Sequence, residues 1–126
     1  MVISDNMKPL EWMGSSLHDL RDMPKNVQQV FGFALYQAQI GKKHIQTKPL
    51  HGFKSAGVLE VVEEHSGSAY RAVYTVRFSN AVHVLHCFQK KSKKGKETPK
   101  HELELIKTRL KWAEEHSAIS DVIKRN

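Results

Sequence analysis

Arg71 stands on the central one of three apolar runs, the alternating AYRAVYTVRF at 69–78, where a guanidinium without a counter-charge is costly to bury. Such a residue either meets a carboxylate or faces an open surface that receives an anion. Glu60, on the preceding run VLEVVEEH at 58–65, is the candidate carboxylate. The next apolar run, AVHVLHCFQ at 81–89, leads into Lys90 and Lys91, the first of five lysines at positions 90–96. Lysines at a strand end are held better than lysines on a loop, so one of this pair is expected beside Arg71. Lys93, Lys94 and Lys96 belong to a solvated loop suited to non-specific phosphate contacts.

Cations converging on one sheet face suit cleavage of RNA without a metal. RNA carries its own nucleophile, the 2′-OH. The protein must align that hydroxyl with the adjacent phosphorus, stabilise charge on the phosphoryl oxygens and protonate the leaving 5′ oxygen. Arginine suits the oxygens because its planar fork binds two at once and keeps its charge. A lysine serves as base only if its pKa falls well below about 10.4, through neighbouring like charge or desolvation. Imidazole, present at His51 and His86, needs less adjustment, since that side-chain type changes charge near neutral pH.

Other chemistries find less support. Eight histidines invite a search for a metal site, yet there is no Cys-x-x-Cys pair and no HExxH. His83 and His86 lie three apart on a strand and are expected on opposite faces. No Walker-type phosphate loop and no nucleophile elbow is present.

The elements that must position these groups follow from periodicity. Residues 1–7 read as a flexible leader, 8–116 as one domain and 117–126 as a tail. A short strand at 8–13 and a short helix near 17–21 precede Pro24, which suits a first helical turn. Val27, Val30, Phe31, Ala34, Leu35 and Ala38 then mark an amphipathic helix ended by Gly41. Residues 41–57, with three glycines and Pro49, read as a basic loop. Three strands at 58–65, 69–78 and 81–89 form a meander, turning at Ser66-Gly67-Ser68 and at Ser79-Asn80. Along the middle strand Tyr70, Ala72 and Tyr74 share one face, and Arg71, Val73, Thr75 and Arg77 share the other. One face is expected against helices and the other partly open. Thr98-Pro99 opens a last helix running to about Glu115, with Leu103, Ile106, Leu110 and Ala113 on one side. The order predicts a two-layered α+β domain.

Charge narrows the partner. Residues 1–40 hold three Lys/Arg against four Asp/Glu, whereas residues 41–126 hold 17 against nine, so the net charge of +7 is lopsided. A positive field confined to one part of a small protein favours a polyanion. No apolar stretch approaches the roughly 20 residues that span a bilayer, and the N-terminus lacks the pattern of a secretory signal. A lone Cys87 leaves no intramolecular disulfide and points to a reducing cytoplasm.

Taken in order, KPLHGF (48–53), VLEVVEE (58–64), YRAVYTV (70–76), VLHCFQKKSKK (84–94) and TPKHELELIKTRL (98–110) resemble the phage-derived branch of HigB toxins in the RelE/ParE superfamily. The likeness covers residues 8 to about 113. It implies a RelE-like α+β fold: a twisted antiparallel sheet of about four strands, N-terminal helices packed on one face, a C-terminal helix and a concave basic surface. It also implies the toxin of a type II toxin–antitoxin system, a ribosome-dependent mRNA endonuclease that needs no metal or other cofactor. The implied partners are a cognate antitoxin, often a helix-turn-helix DNA-binding protein, together with the ribosome and messenger RNA, and no membrane.

By position in this resemblance, Arg71 contacts the scissile phosphate. Lys90 and Lys91 match the strand end where such enzymes keep an acid or base, and Lys48 and His51 fall in a loop that supplies further groups. The expected catalytic set is therefore Arg71, Lys90, Lys91 and His51, with Glu60 as structural partner of Arg71. Lys48, Lys54, Arg77, Lys93 and Lys94 are expected to bind RNA phosphates. Two rivals keep the same fold: a ParE-like gyrase inhibitor, and a non-catalytic basic nucleic-acid-binding module. The Lys90-Lys91 pair after Phe88-Gln89 argues for the nuclease.

Overall fold

A computed structural model describes residues 7–53, 57–90 and 98–125. The element order is β1 (Leu10–Trp12), α1 (Ser16–Arg21), α2 (Lys25–Gln39), β2 (Thr47–Pro49), β3 (Val58–His65), β4 (Ser68–Thr75), β5 (Val82–Lys90) and α3 (Lys100–Arg125). The domain is α+β, built on one five-stranded mixed sheet in the order β1-β5-β4-β3-β2.

Local chemistry sets several boundaries. Gly41, at φ +81°, ends α2; its N–H donates to Ala38 O (3.1 Å) and the Lys42 N–H to Gln37 O (2.7 Å), the paired bonds of a Schellman cap. Between β3 and β4, His65 pairs with Ser68, so the connection is only Ser66 and Gly67. Both have positive φ (50° and 80°), which matches the right-handed strand twist.

Each face of the sheet carries its own core. Val27, Phe31, Ala34, Leu35 and Ala38 of α2 pack on Val61, Ala72, Tyr74, Val82, Val84 and Cys87. On the other face Ile106 and Ala113 of α3 pack with Leu50, Phe53, Val58, Val73, Leu85 and Phe88. Sequestering a Phe31- or Leu35-sized side chain from water contributes roughly 1.5–3 kcal/mol each.

Several expectations need correction. The sheet has five strands rather than about four, and β1 runs parallel to β5. The loop at 41–57 contains β2, which has three residues and a proline and so carries no periodic signal. Residues 76–81 all lie between β4 and β5, so Ser79-Asn80 is not a two-residue turn. Helix α3 continues to Arg125 instead of ending near Glu115. The face bearing Arg71 is not open along its length, because α3 covers β5. A break in register also lies between Val73/Tyr74: Val73 pairs with His86 and Tyr74 with Val84, leaving Leu85 as the extra residue. That bulge turns His86 to the α3 face, the face His83 also occupies, which overturns their expected separation.

Among the described residues, no helix is long and apolar enough to cross a membrane.

Candidate active site

Beside the crossing of α3 over β5, on the same face of the sheet, lies a cavity of about 460 Å³. Lys48, Pro49, Leu50 and His51 line it from β2 and the residues after it, Glu60 from β3, Arg71 from β4, Thr98 from just before α3 and Leu103 from the start of α3. Register explains the convergence. Lys48 is directly opposite Glu60, Glu60 is opposite Val73, and Arg71 lies two residues from Val73 on the same face.

Glu60 is the electrostatic centre. Arg71 Nη1 donates to both of its oxygens, at 2.9 Å and 3.0 Å, and Lys48 Nζ lies 3.5 Å from Oε1. Arg71 and Glu60 are 5 % and 3 % exposed, whereas the Lys48 side chain is 57 % exposed. Among the described lining residues one carboxylate therefore orients two cations, in a cavity with an apolar side at Leu50 and Leu103. Low dielectric around the buried pair strengthens these interactions. An exposed His51 adds an imidazole at the rim.

Lys90, buried at the end of β5, is on the same face as Arg71: it pairs with Ala69, and Phe88 two residues earlier pairs with Arg71. It is not one of the described residues lining the cavity. Arg77 lies beyond the other end of β4, exposed, beside Gly57 and 5.8 Å from the Phe78 ring centroid. It does not join the cluster. Lys54, Lys91, Lys93 and Lys94 fall outside the described residues. Tyr74 faces the α2 side, as its place in the alternation predicts.

A second polar cluster, not anticipated as such, fastens α3 beside the cavity. Arg109 Nη1 donates to Leu85 O at 3.0 Å and lies 3.3 Å from His86 Nδ1, while Nη2 donates to Ser15 Oγ at 3.1 Å. His86 Nε2 lies 3.0 Å from Glu102 Oε1, and its ring stacks on Phe88 with centroids 4.7 Å apart. Burial holds the His86 imidazole below its usual range; Glu102 opposes this and Arg109 adds to it. His83 is also held low by burial and by His116, with Glu11 opposing. The signal for Arg109 was available: it lies three residues after Ile106 and four before Ala113, inside the buried stripe.

Among the described residues no group of three His, Cys, Asp or Glu is placed to hold a metal ion. The cavity instead offers fixed cations, an imidazole and an apolar wall, which suits binding and charge stabilisation of a phosphodiester.

A family model described as "Phage derived protein Gp49-like (DUF891)" matches residues 18–111, a span that includes the residues lining the cavity and, of the α3 fastening, Leu85, His86, Glu102 and Arg109. No curated protein and no solved structure matches the chain.

Proposed function

The chain belongs to the family of phage-derived Gp49-like proteins, which is associated with toxins of toxin–antitoxin systems, and on that premise we propose that it is a HigB-type toxin cutting messenger RNA on the ribosome. The observation that carries this reading is the cavity in which Lys48, His51 and Arg71 meet around Glu60. In the proposed reaction the 2′-OH attacks the adjacent phosphorus and the bond to the 5′ oxygen breaks. Arg71 and Lys48 stabilise charge on the phosphoryl oxygens. His51, at the rim, exchanges protons with the attacking and leaving oxygens, and Lys90 adds fixed positive charge from the strand end. Ribosome dependence fits so sparse a site, because ribosomal RNA supplies binding and alignment that the cavity does not.

The test is cleavage of messenger RNA on programmed ribosomes with analysis of the new ends. Attack by the 2′-OH leaves a 2′,3′-cyclic phosphate upstream and a 5′-hydroxyl downstream, so the downstream fragment accepts a kinase-added phosphate without phosphatase treatment. His51→Ala is expected to slow cleavage by about 10²–10⁴. Lys48→Met is expected to slow it less, and neither changes stability much, since both residues are exposed. A downstream 5′-phosphate would mean hydrolysis by water and overturn the mechanism. Gyrase inhibition without RNA cleavage would favour the ParE-like reading instead.

A further inference from the structure

The exposed side of helix α2 is polar in its first half, with Lys25, Asn26 and Gln29, and turns apolar in its second. Its core stripe faces the sheet, yet the opposite side carries Gly32, Phe33 and Tyr36, with Phe33 55 % and Tyr36 45 % exposed. A helix with one face in water ordinarily keeps that face polar. Gly32 adds an independent observation. It sits mid-helix and exposed, and a Cβ there would meet nothing within 4 Å. Glycine weakens a helix interior, and no close contact among the described residues and no positive φ requires it. A close-approaching partner backbone is a physical reason for it.

The surface continues past the end of α2. Phe33 makes an edge contact with the His44 ring, centroids 5.6 Å apart, and the adjacent Ile45 is 94 % exposed. At the end of α2, by Ala38 and Gly41, is a cavity of about 290 Å³ lined by Lys8, Lys42 and Lys43 together with Leu59, Tyr74 and Val76, and no carboxylate is among the described lining residues. We propose that the outer face of α2 and this lysine-lined cavity form the docking surface for the antitoxin, which presents an acidic segment with an apolar face. The inference rests on the toxin reading above. Protein is favoured over RNA because the aliphatic surface of Ile45 and Val76 gains nothing from a phosphate backbone. The surface lies on the opposite side of the sheet from the Arg71 cavity, so the bound partner leaves that cavity unfilled.

The test titrates the full chain with the purified product of the adjacent gene, at low and high salt. Lys42→Glu/Lys43→Glu reverses two exposed charges and is expected to weaken binding at least about tenfold, with a shallower salt dependence. Gly32→Gln is expected to raise the thermal midpoint of the isolated chain while weakening the complex. Ile119→Ser/Ile123→Ser, on the exposed apolar side of α3, serves as a control expected to bind as wild type does. Wild-type binding left unchanged by the lysine and glycine variants, or lost only in the α3 variant, overturns the surface while sparing the toxin reading. The surface is equally overturned if the lysine reversal weakens ribosome binding and not the partner, which would make it an RNA contact. Failure of the wild-type chain to bind the adjacent product removes the surface and the toxin–antitoxin pairing together, whereas RNA cleavage tests the catalytic proposal separately.

Discussion

Arg109 Nη1 lies 3.3 Å from Nδ1 of His86, and since a guanidinium has only protons to donate, that ring nitrogen is the acceptor. The imidazole proton therefore sits on Nε2, facing Glu102 Oε1 at 3.0 Å. Buried His86 is neutral in this arrangement, because a proton on Nδ1 would point at the guanidinium.

A pH dependence follows, with its sign set by the lowered values of His86 and His83. In the unfolded chain these groups protonate near about 6.5, whereas the folded protein resists. Their contribution to stability is present above that pH and is lost as pH falls towards the folded values. The slope is at most about 1.4 kcal/mol per pH unit for each histidine. Urea midpoints between pH 5 and 8 should fall on the acid side, and His86→Gln should reduce that slope. Glutamine can accept from Arg109 and donate to Glu102 without titrating. An identical acid slope in the variant would show that His86 is not the source.

The Arg71–Glu60 pair separates catalysis from folding. Arg71→Ala leaves a buried carboxylate with, among the described residues, Lys48 alone beside it, so it should cost about 3–5 kcal/mol, and loss of cleavage alone says little. Arg71→Leu/Glu60→Leu removes both charges and should fold at least about as stably as wild type. It should nevertheless lose cleavage by about 10²–10³ or more. Urea denaturation and ribosome cleavage on the same preparations decide the matter, and an active double variant would make the pair purely structural.

Gly14 supports the α3 fastening. It has φ +55°, and a Cβ there would lie 2.7 Å from Arg109 Nε. Gly14→Ala should therefore destabilise by roughly 1–3 kcal/mol through backbone strain and displacement of Arg109. Thermal unfolding measures this. Gly32→Ala, with φ outside the positive region and open space at its Cβ, should instead stabilise by about 0.5–1 kcal/mol.

Cys87 should be silent. It is 1 % exposed, and burial pushes its thiol up to about 12, with Asp19 adding to the rise and Arg109 opposing it. A thiol-specific chromogenic reagent at pH 8 should label it only after denaturant is added, since the thiolate is the reactive form. Rapid labelling of the folded chain would place Cys87 nearer the surface than the packing shows.

Residues 27–38 show why α2 was legible: six apolar positions at helical spacing, bounded by Pro24 and Gly41, admit one helix and one buried face. Strand β3 was equally plain, because VLEVVEEH is followed by the turn signal Ser66-Gly67-Ser68, of which the structure assigns Ser68 to β4 and leaves a two-residue turn. Strand β2 was not, since Thr47, Lys48 and Pro49 have no pattern of their own and become a strand only by pairing with Val61, Glu60 and Leu59. His86 was misplaced because alternation assumes an unbroken strand, and one extra residue at Leu85 reverses the face of whatever follows.

The sequence by itself determined the elements whose apolar spacing repeats, the basic second half of the chain, and Glu60 as the carboxylate within reach of Arg71. These depend on interactions between near neighbours, or on residues one strand apart, and period and composition report them directly. Only the tertiary structure decided that Lys48 and His51 line one cavity with that pair, that Arg77 does not, and that α3 crosses β5 beside that cavity. Those outcomes depend on register, on a bulge and on where one helix crosses a sheet. Each is set by packing between segments distant in the chain, for which a linear pattern has no period.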